Sequence, residues 1–140
     1  MSIAKEVQVK LMKGLLDLIV LQFLSSKPMH GYQIITKIRK TFGVYFGPST
    51  IYPLLNALEK NGYVTSEWDM SNDRPRKVYK LTPEGRSLLT FTEESLNLIC
   101  RKIGVAAGTP QLNQKKEVTS TAVTPFLKTL KNGTYLAANP

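Results

Sequence analysis

A chain of 140 residues with 42% apolar and 21% charged side chains has the size and mix of one folded domain plus an appendage, which excludes disorder throughout. Its single cysteine, Cys100, excludes an internal disulfide framework and a cysteine zinc cluster; its longest apolar run, 15–24, is interrupted by Asp17 and Gln22 and falls short of the roughly 18 residues of a membrane span. The net charge of +9 favours a polyanionic partner, and the excess lies early: residues 10–82 carry eleven basic against five acidic side chains, whereas 83–104 balance at three of each.

The first predicted helix covers 10–26. Leu15, Leu18, Ile19 and Gln22 recur at helical spacing, and further apolar residues between them imply burial on more than one side. Ser25-Ser26-Lys27-Pro28 ends it, since proline cannot continue the ladder. A second helix fits 30–42, with Ile34, Ile35 and Ile38 as its stripe and Gly43 just past its end, where a left-handed cap belongs. The turn Gly47-Pro48 leads to a third helix with Ser49 as the expected N-cap and Asn61-Gly62 as the close. Ile51, Leu54, Leu55 and Leu58 form its apolar stripe, and Ser49, Tyr52, Pro53, Asn56 and Lys60 remain on the other face.

The period then changes to two. The runs 63–68 and 77–81 read as a β-hairpin whose polar connection, 69–75, forms a long basic tip. Thr82-Pro83-Glu84 supplies an N-cap, a proline at the first helical position and an acid in the first turn, so a fourth helix starts there and runs to about Ile103, with Gly104 closing it. Helix, helix, helix, hairpin, helix is the order of a winged helix-turn-helix. The expected fold is mainly α with a small β-hairpin, organised as a winged helix-turn-helix at 1–82, a dimerisation helix at 83–104 and a largely irregular tail at 105–140 with one short capped helix at 125–131.

In a helix-turn-helix the second helix of the pair enters the major groove. The third helix has the division this requires: leucines for the core, and hydrogen-bonding groups for a duplex. Asn56 suits bidentate pairing with adenine, the hydroxyls of Ser49, Thr50 and Tyr52 suit phosphates or bases, and the helix-start amides suit phosphates. Pro53 and Lys60 complete that face. Arg74, Arg76 and Lys77 on the hairpin suit the phosphate backbone or a minor groove. The same features also fit an ordinary solvated helix face and a charge-guarded strand edge, but Tyr and Pro where Lys and Glu would be usual favour binding. Trp68 and Tyr79 resemble a ligand-stacking pair, but they are expected instead to pack as hairpin core residues on the helices.

His30 has no partner at metal-ligand spacing and is read as a helix-start residue, and Cys100 as a semi-buried thiol. With one histidine and no Gly-rich phosphate loop, GxSxG or HExxH, no enzymatic constellation, metal site or cofactor is expected. Lys5, Glu6, Lys10 and Lys13 break up any leader-like stretch, so a cytoplasmic protein is expected. In the fourth helix Leu89, Leu96 and Ile103 lie seven residues apart, with Ile99 between, a short seam suited to pairing with a second copy.

Four motifs in order, Gly14-Leu15-Leu16-Asp17-Leu18, His30-Gly31-Tyr32-Gln33-Ile34, Ser49-Thr50-Ile51-Tyr52-Pro53-Leu54-Leu55 with Leu58-Glu59, and Arg76-Lys77-Val78-Tyr79-Lys80-Leu81-Thr82 with Gly85, closely resemble the PadR family of transcriptional regulators over about residues 10–103. The resemblance implies a homodimeric, repressor-like protein with a third-helix reader, a wing on the backbone and dimerisation through the C-terminal helix. Some members also respond to small aromatic or drug-like effectors held near the dimer interface, a property no residue here establishes. The Thr-, Ala-, Asn- and Pro-rich tail departs from the family pattern. The expectation is a homodimer that binds a palindromic double-stranded operator. The alternative is a winged helix serving as a protein-interaction module in a larger assembly.

Overall fold

The structure, a computed structural model, describes residues 2–105. Its elements are α1 (Ile3–Ser26), β1 (Met29–His30), α2 (Gly31–Phe42), α3 (Pro48–Lys60), β2 (Val64–Asp69), β3 (Arg76–Leu81) and α4 (Pro83–Lys102). The three strands form one antiparallel sheet in the order β1-β3-β2. This is the winged helix-turn-helix expected from the element order, with a third strand added by Met29 and His30, which pair with Tyr79 and Val78.

Helix α1 begins seven residues earlier than the apolar pattern indicates. Ser2 caps it by accepting from the Lys5 amide, and two long side chains tie the first turns to the end of α2: Lys5 Nζ donates to the Gly43 carbonyl at 2.7 Å, and Gln8 Nε2 to the Phe42 carbonyl at 2.9 Å. Those carbonyls lack intrahelical donors at a helix C-terminus, so each bond satisfies an orphan group. Further along, Leu18, Ile19, Val20 and Leu21 are all buried, as a helix enclosed on several sides requires. Gly43 caps α2 in the left-handed conformation, φ 73°, and its N–H returns to the Arg39 carbonyl.

Helix α3 corrects one expectation. Its N-cap is Gly47, not Ser49, because Pro48 has the fixed φ suited to the first helical position and moves the start one residue upstream of the serine. Ile51, Leu55 and Leu58 are buried and Leu54 half-buried, so the predicted stripe holds. Pro53 stands inside the helix, where it removes the amide that would otherwise reach the Ser49 carbonyl. Its position on the exposed face keeps that carbonyl within reach of solvent.

The hairpin registers Val64 with Leu81, Ser66 with Tyr79 and Trp68 with Lys77 on one face. Val64, Tyr79 and Leu81 are buried against the helices, but Trp68 is 62% exposed, so its expected place in the core is wrong. The alternation put it on the correct face. It lies four residues, about 13 Å, beyond Val64, where the hairpin outruns its helical support.

Thr82 joins wing and helix by accepting from the Gly85 amide at 3.0 Å and donating to the Gly62 carbonyl at 2.7 Å. The described residues divide into two units, with the break between Leu88 and Leu89 inside α4. At its far end α4 closes as a Schellman motif: Gly104 is left-handed, φ 81°, and the Val105 amide reaches the Cys100 carbonyl at 2.8 Å. The short helix expected at 125–131 lies outside the described residues. Among those residues no helix is long and apolar enough to cross a membrane, and no group of three or more His, Cys, Asp or Glu side chains is placed to hold a metal ion.

Candidate nucleic-acid interface

One stripe of α3 faces outward. Ser49, Tyr52, Pro53, Asn56 and Lys60 recur at helical spacing and all are exposed, as is Thr50 beside them. The first turn offers fewer amides than its sequence suggested. Pro48 has no N–H, and the amides of Thr50 and Ile51 both bond the Gly47 carbonyl at 3.0 Å.

Tyr52 is held in place from below. A Cβ built on Gly31, the first residue of α2, would lie 2.5 Å from Cε1, Cζ and Oη of the Tyr52 ring. The glycine of the His30-Gly31-Tyr32 run therefore makes room for the phenol of a different helix, and packs α2 closely on α3.

The three wing cations differ in their freedom. Arg74 is exposed at the tip. Arg76 Nη1 lies 3.0 Å from His30 Nε2. Lys77 is half-buried; its Nζ is 3.8 Å from Glu59 Oε1 and about 6 Å from the ring centres of Trp68 (6.0 Å) and Tyr79 (5.9 Å). Glu59 also accepts from Ser66 Oγ at 2.6 Å, so one carboxylate links α3 to both hairpin strands. Asp69, paired with Arg76 across the ladder, accepts from the Ser71 amide and hydroxyl at 3.0 and 2.6 Å; these bonds, with Arg76 and His30 nearby, hold its carboxyl below the usual range.

His30 is the hub the sequence did not reveal. Its Nδ1 accepts from the Gln33 amide at 3.3 Å, and Gln33 Oε1 accepts from the His30 amide at 3.0 Å, a capping box built on histidine. Burial, then the positive Arg76, lower its pKa, with Asp69 opposing. Burial also pushes the Tyr79 phenol up, helped by Glu59 and Tyr52.

These side chains enclose a cleft of about 860 Å³ lined by His30, Tyr32, Tyr52, Trp68 and Tyr79 together with Arg74, Pro75, Arg76 and Lys77. The structure thus brings Tyr52 of α3 together with all three wing cations, while Ser49, Thr50, Pro53, Asn56 and Lys60 lie outside the cleft lining. His30, Tyr32 and Trp68 were missed as members of this surface. The period-two pattern carries Trp68 beyond the core, but nothing local in the sequence places Tyr32 opposite a wing more than thirty residues away.

In the fourth helix Leu89 and Leu96 are half-buried, whereas Ile99 and Ile103 are 55% and 67% exposed. Cys100 is half-buried, with no disulfide partner in a chain that holds one cysteine.

Residues 20–90 match the model of the transcriptional regulator PadR-like family. A transcriptional regulator of Mycobacterium tuberculosis is 31% identical over 84 residues, a match covering 60% of this chain and 78% of that one. Among solved structures, a PadR family transcriptional regulator from Eggerthella lenta superposes with a TM-score of 0.67 at 31% identity, covering 77% of this chain and 95% of its own. A transcriptional regulator from Clostridium thermocellum gives 0.63 at 29% identity, covering 68% and 95%.

Proposed function

The chain belongs to the PadR-like family of transcriptional regulators, which act by binding DNA, and from that premise we propose that it is a homodimeric repressor that reads a palindromic operator. The exposed stripe of α3 enters the major groove and the wing follows the phosphate backbone. The observation that carries this reading is the division of α3: Ile51, Leu55 and Leu58 are buried, while the opposite stripe exposes hydroxyls, an amide and one lysine and no acid. Asn56 is the base reader, since its carboxamide both donates and accepts as adenine requires. Ser49, Thr50, Tyr52 and Lys60 position the helix, and Pro53 holds a close-fitting, donor-free surface between them. Arg74 and Arg76 take phosphates, whereas Lys77 contributes chiefly by supporting the wing, given its contact with Glu59.

Homodimerisation is proposed through the seam of Leu89, Leu96, Ile99 and Ile103, supported by the exposure of its last two members. The first turns of α1 add Ile3, Val7 and Leu11, 77%, 51% and 64% exposed and four residues apart, as a second apolar stripe suited to the same assembly. A dimer places two copies of α3 about 34–36 Å apart on a two-fold symmetric site. The protein-interaction alternative is disfavoured by the joint basicity of wing and reading face.

Gel retardation of the DNA upstream of its own gene, with excess competitor, tests the reading. Affinity falls with salt at a log–log slope of about −5 to −9 if a dimer neutralises roughly six to ten phosphates. Asn56→Ala loses about 1–3 kcal/mol of discrimination between sites, and Arg76→Ala weakens all sequences alike. No retardation, or a salt slope near zero, rejects the reading.

A further inference from the structure

A helix in the major groove and a wing beside it straddle the sugar-phosphate strand that separates two grooves of the duplex. In this chain the space between those elements is the cleft of about 860 Å³ bounded by α3, the wing and the start of α2. Tyr52 belongs both to its lining and to the outward stripe of α3, so the cleft opens onto the reading face. Arg74, Arg76 and Lys77 line it, and no acid does. Two carboxylates stand nearby and both are engaged: Glu59 by Ser66 and Lys77, and Asp69 by the amide and hydroxyl of Ser71.

One wall carries His30, the half-buried N-cap of α2, whose ring stands between two donors. Its Nδ1 accepts from the Gln33 amide at 3.3 Å, which leaves the proton of a neutral ring on Nε2. That N–H faces Arg76 Nη1 at 3.0 Å, and a guanidinium offers donors only. The other tautomer would satisfy Arg76 and set Nδ1–H against the Gln33 amide. A neutral imidazole has one acceptor, so in either form one N–H meets another. An anionic oxygen between Nε2 and Arg76 accepts from both and leaves the cap intact, and the exposed Arg76 has room to admit it.

We propose that His30 and Arg76 together hold one phosphate of the duplex backbone, which makes the start of α2 a third DNA-contacting element beside α3 and the wing. The contact rests on the DNA-binding reading above. It is independent of base sequence, and the neutral ring brings hydrogen bonding without charge. The phosphate also reverses the electrostatics at the ring. In the free chain burial and Arg76 disfavour the imidazolium, with Asp69 opposing; the other titratable groups on the cleft are Arg74, Lys77 and the phenols of Tyr32, Tyr52 and Tyr79. With a phosphate between ring and guanidinium, the nearest charge is negative and the imidazolium is favoured. Setting Nδ1–H against the Gln33 amide costs the same with and without DNA, so it leaves this difference unchanged. Duplex binding therefore takes up a proton, and affinity rises as pH falls from neutrality toward the free ring's lowered pKa.

The chain holds one histidine, so a single ring supplies every imidazole signal. The full chain, labelled with ¹⁵N-histidine, is titrated at low salt with a random-sequence duplex of about 20 base pairs, which suffices for a contact that reads no base. The complex is expected to hold the Nε2–H form at about pH 8, and duplex is expected to raise the ring's proton affinity about tenfold. His30→Asn keeps a capping acceptor and removes the Nε2 donor. It is expected to weaken random and upstream duplexes alike by about tenfold at pH 8, with an unchanged salt slope, unchanged circular dichroism and no remaining rise in affinity toward acid pH. Arg76→Ala is expected to lower the salt slope by about one. A ring whose Nε2 carries no proton in the complex, a proton affinity that duplex leaves unchanged, or a His30→Asn chain that binds like the parent overturns the proposal. A loss in His30→Asn without any ring response to duplex marks His30 as a support of the wing alone and overturns it too. A parent chain that binds no duplex rejects the DNA-binding reading itself, and the phosphate contact with it.

Discussion

Replacing Gly31 by alanine separates a site residue from the fold that holds it. The added Cβ would stand 2.5 Å from three atoms of the Tyr52 ring, against the ~3.5–4.0 Å of a comfortable carbon contact, so the ring must retreat by about 1 Å or more. Overpacking usually costs about 1–3 kcal/mol. Here the obstructing atoms are the far end of a side chain that is 37% exposed and has solvent to move into, which puts the cost at the low end. Alanine also returns up to ~1 kcal/mol over glycine within a helix, less at its first position. The expected net loss is therefore about 0–1 kcal/mol, read from the urea midpoint at constant m. DNA affinity should fall by about 2- to 12-fold, the worth of one displaced hydrogen-bonding group at roughly 0.5–1.5 kcal/mol. In a Tyr52→Ala background the same replacement has nothing to displace and should be neutral or slightly stabilising. An equal cost of Gly31→Ala in both backgrounds would show that the clash is with something other than Tyr52 and would refute the argument.

Two further outcomes follow from the geometry. His30 has a folded pKa below its ordinary 6.5, so the unfolded chain binds more protons in the interval between the two values. Its contribution to stability is thus present above about pH 6.5 and lost as pH falls toward the folded pKa; His30→Asn, which retains a capping acceptor, should flatten that part of a stability–pH profile measured by urea unfolding. Ile99→Glu introduces a charge at a position already 55% exposed, so the chain should fold as before yet sediment as a monomer at micromolar concentration and bind the operator weakly; a dimer as tight as the parent would move the interface elsewhere.

The elements were legible where a period ran long or a cap was unambiguous. Ile34, Ile35 and Ile38 announced α2, Gly43 its end, and Thr82-Pro83-Glu84 the start of α4. The first turns of α1 were hidden because Ser2, Lys5 and Gln8 act through a cap and through bonds to residues 42 and 43, tertiary contacts without a periodic trace. Strand β1 escaped because two residues have no period, and its existence depends on β3. Ser49 was a reasonable cap in isolation, and Pro48 displaced it. The outward stripe of α3 was readable as one face, Asn56 and Tyr52 included. The cleft was not, since His30, Tyr32 and Trp68 meet the wing cations only after the hairpin folds back across α2. Trp68 shows the limit most clearly: alternation predicts a face but not how far along that face the helices extend.

Glu59 explains why the two halves of the surface form one instrument. It lies on the last turn of α3, past Asn56, and its two oxygens reach Ser66 of β2 and Lys77 of β3. With both Lys77 and Glu59 about a third exposed, the ion pair itself contributes little stability, on the order of 0–1 kcal/mol. Its consequence is geometric. A wing carrying Arg74 and Arg76 on a free hairpin would lose side-chain and backbone entropy each time it settled on a duplex, a cost charged against affinity. With β2 and β3 both bonded to α3, much of that ordering is completed when the domain folds.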